Sequence, residues 1–464
     1  MTASKPAPTL LRQLGIASAT ALVISNMVGT GIFTATGFLA GDLGSVPVVL
    51  GIWVVGAVAA LAGAFCYSEM GINYPSSGGE YVYLTRAFGP TWGFLTGWIS
   101  FFAGFSAPIA ASALAFADYL GFFWPSLKQD QAVYTVGSGA LSLSLGGAQL
   151  AAGALIVIFT VANFFGIGRI AKLQNVLTST KILVLLAFIG LGLLAGTGDW
   201  GHFSQPAART STTPLAAQFA ISMFFIYLSY SGWNAATYVA EEIKQPTKTL
   251  PVALAFGTIL VTALYLGLNV VYIYAVPMEK MKGVLAVGSL AASHLFGHGV
   301  AGVFSALMAL SLVSTVNAMV TIGPRLYYAM ARNGAFVPLA AQVHERWHTP
   351  VPAIVCQGIC ALLMTLTPFP QLVHYIGFTL NFFATATVCT LFVHRRQPGW
   401  QRLRVVDFAW PLVPGVFLVI GGATIVAGMT LAPKVAAAAV VTILTGAVVY
   451  HYKIRGSAPA AGAD

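Results

Sequence analysis

Apolar runs of about 20 residues, long enough to cross a hydrocarbon core, recur along almost the whole 464-residue chain. Twelve can be marked, at 15–41, 47–73, 88–121, 148–167, 175–196, 214–241, 250–276, 299–331, 350–367, 371–394, 409–430 and 435–452. The pattern predicts an all-α membrane protein of twelve spanning helices. The polar ends, 1–11 and 455–464, are rich in Ala, Pro, Ser and Gly and are expected to be disordered. The first run is too long for a cleavable signal peptide, and no cleavage site leading into a polar domain follows it.

Two runs are interrupted where a spanning helix should be most regular. In Asn26-Met-Val-Gly-Thr-Gly-Ile-Phe-Thr34, Gly29 and Gly31 flank Thr30, and glycine weakens a helix because it loses most backbone freedom on ordering. A helix opened there needs partners for its freed N–H groups, and hydrocarbon offers none, so the break must be buried in protein or line a cavity. The sixth run carries Tyr227, Ser229, Tyr230, Ser231, Gly232, Trp233 and Asn234 at mid-depth. Such residues can be helix–helix glue or a second discontinuity. Two interrupted segments at matching places in two halves point to a transporter's binding site. Gly29 and Gly232 are 203 residues apart with five runs per interval, and the two sets of five enter from opposite sides, so the repeat would be inverted.

Composition narrows the class. The chain is 58% hydrophobic and 7% charged, against about 25% charged residues in soluble proteins. Its net charge of +10 could suggest nucleic acid. With the N-terminus inside, however, 15 of the 22 Lys and Arg fall on the cytoplasmic side, five outside and two within spans. That is the positive-inside asymmetry that orients membrane proteins, so no nucleic-acid partner is expected and both termini are placed in the cytoplasm. Four cysteines (Cys66, Cys356, Cys360, Cys389) sit in apolar runs and suggest neither a disulfide framework nor a metal site. No cofactor is expected.

Lys181 is the cation that needs explaining. It lies about 9 Å inside the fifth run at 1.5 Å per residue, where insertion costs up to about 2.5–3.5 kcal/mol. Snorkelling to the headgroups competes with a functional role. Ser314, Thr315 and Asn317 in the eighth run could offer oxygens to a cation or to Lys181, or could serve packing. The tenth adds His374 and Asn381, and a lone histidine near the extracellular end is more often a satisfied structural residue than a proton relay. Glu69, Glu80 and Arg86 gather between the second and third runs, as a capped loop or as a hinge or gate.

Four stretches then resemble one family: Gly29-Thr-Gly-Ile-Phe33; Tyr67-Ser-Glu-Met with Ser77-Gly-Gly-Glu-Tyr-Val-Tyr; Tyr230-Ser-Gly-Trp-Asn through Glu241, Glu242 and Pro246; and Arg325-Leu-Tyr-Tyr-Ala-Met-Ala-Arg-Asn-Gly. Over residues 12–400 the chain resembles the amino acid–polyamine–organocation superfamily, with a look of its L-type amino acid transporter branch. The resemblance implies a LeuT-type 5+5 inverted repeat, 12–196 and 214–394, with discontinuous helices 1 and 6, followed by two C-terminal helices in 409–452. It implies that Gly29, Thr30 and Gly31 bind the substrate carboxylate, with Met27 also among the substrate-binding residues. Carbonyls of Leu228, Ser229 and Ser231 would take the α-ammonium, with Asn234 supporting the opened helix. Lys181 would occupy the place of a sodium ion, with carbonyls near Gly29 and the hydroxyl of Thr315 as partners. Leu228 stands where many relatives carry an aromatic gate, leaving Tyr227 or Tyr230 as substitutes. No cysteine lies between the third and fourth runs, where eukaryotic relatives bond a glycoprotein partner. No disulfide-linked heavy subunit is therefore expected, and a bacterial inner membrane fits.

No Asp or Glu lies at mid-depth, which favours neutral amino acids over basic ones or polyamines. Exchange, proton symport and uniport all fit, with sodium-independent exchange preferred. A nutrient receptor or intramembrane enzyme on the same fold is the different class. The first would need a large soluble signalling tail, and the second an acid–base pair, a nucleophile or a metal cluster, none of which is visible.

Overall fold

The structure, a computed structural model, describes residue 12 and residues 14–454, apart from 77, 138–141, 166, 333, 346 and 348. Side chains at 167–175, 241–242 and 329 are also outside the described set. The expectation of disorder at 1–11 and 455–464 falls outside the described residues.

The chain is almost entirely helical. The first run gives α1 (Ile16–Met27) and α2 (Thr30–Leu43), and the second gives α3 (Val46–Asn73). A short α4 (Glu80–Phe88) precedes the third span, which is α5 (Pro90–Ile99), a π-helical stretch Ser100–Ser106 and α6 (Ala107–Leu120). Then come α7 (Gly147–Ala162), α8 (Ile167–Leu194), α9 (Leu215–Tyr230) and α10 (Pro246–Ala275). After the single turn α11 (Met278–Met281) follow α12 (Val287–Arg332), α13 (Val351–Met364), α14 (Phe369–His394), the short α15 (Arg404–Phe408), α16 (Leu412–Leu431) and α17 (Pro433–Val449).

Among the described residues eleven helical segments are long and apolar enough to cross a membrane, not twelve. The ninth expected span, 350–367, is helical only over the 14 residues Val351–Met364, about 21 Å at 1.5 Å per residue against a core of about 30 Å. It stops where the Thr365 hydroxyl turns back to the Leu362 carbonyl and Pro368 leads into α14. The eighth span starts earlier than expected, at Val287, and bends at Gly297, whose φ of 76° no helical residue shares. The third is cut from α4 by Gly89 (φ 93°). The expected all-α architecture also admits one small hairpin, Tyr134–Val136 antiparallel to Leu143–Leu145.

Packing places the breaks at the centre. α10 lies against α1 and α3; α12 lies against α6 and α8; α14 lies against α9 and α16. α1, α2 and α9 are thereby walled in, while α16 and α17 turn Val419, Val426, Val441 and Leu444 outward, as lipid-facing helices do.

Candidate functional site

α1 ends at Met27, the chain runs extended through Val28 and Gly29, and α2 restarts at Thr30. The first N–H groups of α2 have no partner within the helix and form its positive end, suited to a carboxylate. The mirror-image need, at the negative end of α1, is met by other helices. Lys181 Nζ, from α8, donates to the Val28 carbonyl at 2.7 Å. The Tyr265 hydroxyl, from α10, reaches the Met27 carbonyl at 2.5 Å. Thr30 pairs hydroxyl to hydroxyl with Ser112 on α6.

The second break is a tight turn at the end of α9. Ser231 N and Oγ both donate to the Leu228 carbonyl, at 3.1 and 2.7 Å. Gly232 takes φ 100°, a left-handed value that a side chain would strain. The chain then continues as a loose 3₁₀-helix, Ala235–Glu242, held by local bonds such as Ala235 N to the Gly232 carbonyl at 2.9 Å.

The two breaks touch. A Cβ on Gly31 would lie 2.2 Å from Ser229 Oγ and 2.3 Å from its Cα, and one on Gly232 would lie 2.7 Å from the backbone carbon of Asn26. Each glycine is therefore required by the opposite segment. The Tyr265 hydroxyl, which also lies 2.8 Å from the Ser229 carbonyl, spans the join. It has one proton for two carbonyls.

Lys181 is 1% exposed. Besides Val28 it donates to Thr315 Oγ1 on α12 at 3.1 Å, and Gly29 packs against that threonine's methyl. Among the described residues no carboxylate pairs with it. A cation at the C-terminal end of α1 is favoured by the helix dipole. Among the described residues no three His, Cys, Asp or Glu side chains gather as a metal site.

The residues singled out from sequence thus fall into two groups. Met27, Gly29, Thr30, Gly31, Leu228, Ser229, Ser231, Lys181 and Thr315 converge on the join. Tyr227 and Tyr230 lie beside it, Tyr230 with its ring 5.3 Å from that of Tyr265. Spaced three apart, they share one face of α9. Tyr227 lines a small apolar cavity with Gly56, Ala60 and Phe417 of α3 and α16, and Tyr230 donates to the Trp53 carbonyl at 3.1 Å. Asn234 turns to the end of the molecule that holds α4, where its Nδ2 donates to Glu80 Oε1 at 3.1 Å.

That end also holds a buried, two-pronged ion pair. Arg395 grips Glu69 through two parallel bonds of 2.6 and 2.7 Å, Trp400 Nε1 and Leu403 N complete the carboxylate's shell, and the guanidinium stacks 3.9 Å over Trp410. Sequence reasoning missed Tyr265, Ser112 and Arg395 as partners. Only Arg395 had a signal, as a basic residue at the end of an apolar run.

Residues 14–450 match the family model described as amino acid permease. The chain is 30% identical to the human Asc-type amino acid transporter 1 over 452 residues, 95% of this chain and 82% of that protein. It is 28% identical to the human large neutral amino acids transporter small subunit 2 over 450 residues, 95% and 80% of the two chains. To the mouse b(0,+)-type amino acid transporter 1 it is 27% identical over 395 residues, 83% and 77%.

Proposed function

We propose that this chain, which belongs to the amino acid permease family, exchanges neutral L-amino acids across a bacterial inner membrane without sodium. The observation that carries the reading is the Lys181 ammonium fixed between the Val28 carbonyl and Thr315. An ammonium at the negative end of α1 would supply the positive charge that a bound metal cation would otherwise bring to the break. The substrate carboxylate takes the N–H groups of Thr30 and Gly31. Its ammonium takes the Leu228, Ser229 and Ser231 carbonyls. That of Ser229 accepts one bond, from Tyr265, and keeps a second lone pair, whereas that of Leu228 already accepts two, from Ser231 N and Oγ, so there the ammonium takes the place of the hydroxyl. Because Gly31 and Ser229 meet without room for a methyl group, binding between them requires the two breaks to part. That motion is the local form of alternating access.

In this reading 12–196 and 214–394 are the two inverted halves, α13 counts as a short twelfth span, and 409–452 stands outside the repeat. Both termini face the cytoplasm, and no disulfide-linked subunit is needed. The absence of an acidic side chain among the described groups at the join supports a neutral substrate.

Uptake of labelled neutral amino acids into liposomes tests this. Uptake accelerates when the lumen is preloaded with amino acid and is unchanged when sodium is replaced. Loss of transport without sodium overturns the role of Lys181. Uphill uptake driven by a proton gradient alone overturns exchange, and selective inhibition by arginine overturns the neutral substrate class.

A further inference from the structure

Glu80, the first residue of α4, is a buried carboxyl without a cationic partner among the described residues. Two glycines with positive φ, Gly78 (125°) and Gly79 (49°), turn the chain beneath the bundle. A Cβ on Gly79 would come within 3.1 Å of both Tyr238 and Thr237. The carboxyl is thus pressed against the 3₁₀ segment that follows the second break. Its Oε1 accepts from the Tyr67 hydroxyl of α3 at 2.7 Å and from Asn234 Nδ2 at 3.1 Å. Asn234 Nδ2 also lies 3.4 Å from the Tyr238 hydroxyl. One oxygen therefore joins α3, α4 and the chain just beyond Gly232.

Among the described side chains the charges nearby are committed elsewhere. On α3, Glu69 is taken by Arg395. On α14, His394 Nε2 meets the Tyr83 carbonyl at 3.1 Å. On α4 itself, Arg86 stacks 4.6 Å over Tyr74. α5 carries no titratable side chain. What faces Glu80 among the described side chains is Tyr67, Tyr83, Tyr238 and Asn234, all neutral. A carboxylate kept from water among neutral groups favours its protonated form.

We propose that Glu80 is a proton-binding positioning residue: its protonated carboxyl keeps 231–242 seated on α3 and α4, and loss of the proton frees that segment to move. Burial pushes the carboxyl up to about 7, opposed by the bonds from Tyr67 and Asn234. A carboxyl raised in the seated arrangement favours that arrangement most at low pH, and the preference is lost as pH rises through about 7. Deprotonation then draws Glu80 toward water and loosens its hold on Asn234, next to the proposed ammonium site. The inference adds a proton site to the amino acid carrier reading and does not need that reading for its first test.

That test is hydrogen exchange of the full chain in lipid nanodiscs, read over 231–242 and corrected for the intrinsic pH dependence of exchange. Wild type loses protection by roughly tenfold or more between about pH 5.5 and about pH 8.5. Glu80→Gln, neutral and of the same shape, stays protected throughout, while Glu80→Ala is unprotected throughout. Identical pH dependence in wild type and Glu80→Gln overturns the proposal, as does a flat wild type. Should Glu80→Ala not fold, the comparison with Glu80→Gln decides alone. In liposomes, Glu80→Gln retains KM and lowers kcat, with a pH profile flat where wild type bends near 7. A bend at the same pH in both also overturns it. If the exchange result holds and no amino acid is carried, the carrier reading fails and the proton site stands.

Discussion

The two breaks solve the same problem by different means. At the first, the open carbonyls of Met27 and Val28 are satisfied by side chains from α10 and α8, and the chain restarts at once as a regular α-helix. At the second, the turn is largely satisfied by its own residues, through Ser231 to Leu228 and Ala235 to Gly232, and the chain continues as a looser 3₁₀-helix. The first break is rigid only as long as distant helices stay in place. The second keeps its shape when its surroundings move. A carrier that opens by parting these segments would move the second and brace the first, and single substitutions should separate the two.

Lys181→Ala has the largest expected effect. It leaves the Val28 carbonyl buried without its partner, at about 1–3 kcal/mol for an unsatisfied group, and strips Thr315 of its bond to the ammonium while its hydroxyl keeps the Ser311 carbonyl at 3.4 Å. Uptake should fall by about two orders of magnitude, equivalent to about 2.7 kcal/mol, with a lower melting temperature in detergent. Normal uptake by this variant would mean that the first break is as self-sufficient as the second. Gly31→Ala comes next. Its methyl would overlap Ser229, with Cα 2.3 Å away, so the breaks cannot close on each other. Transport should drop at least about tenfold while the protein still reaches the membrane, since overpacking costs only about 1–3 kcal/mol.

Tyr265→Phe probes the one group that touches both sides. Its single proton serves two carbonyls, so the loss is that of one hydrogen bond, about 1 kcal/mol or roughly fivefold. A rise in KM with kcat unchanged would show that the hydroxyl acts on substrate binding alone and does not hold the breaks together.

These residues were not equally legible beforehand. The positions of both interruptions could be read because glycine and polar side chains at mid-span have no reason to face lipid. Lys181 stood out because a charge inside a span demands a partner. Tyr265 gave no such signal: between Leu264 and Leu266 a tyrosine reads as packing, and its place depends on where α1 and α9 meet. Glu80 read as part of a capped loop or of a hinge or gate with no sign of its burial, which follows from the turn at Gly78 and Gly79 and not from local hydrophobicity. The orientation of Tyr227 was readable in principle from its three-residue spacing to Tyr230, but which neighbours that face meets is set by α16, far along the chain. The count of spans blurred for a local reason, since an apolar run cannot reveal that Thr365 and Pro368 end α13 after four turns.

Ser231→Ala should have the smallest effect, and it examines the self-sufficient break directly. The substitution removes the 2.7 Å bond from Oγ to the Leu228 carbonyl, but Ser231 N still donates to that carbonyl at 3.1 Å, so no acceptor is orphaned. A bond lost without leaving a buried group unpaired costs about 0.5–1.5 kcal/mol. Ser231 is also partly exposed, so water can replace the hydroxyl, and the effect belongs at the lower end. Uptake should fall by no more than about threefold, with sodium independence and the melting temperature unchanged. A loss as large as that of Lys181→Ala would reverse the comparison. It would mean that the Ser231 side chain acts on the bound amino acid itself, and that the second break, for all its internal bonding, is no more autonomous than the first.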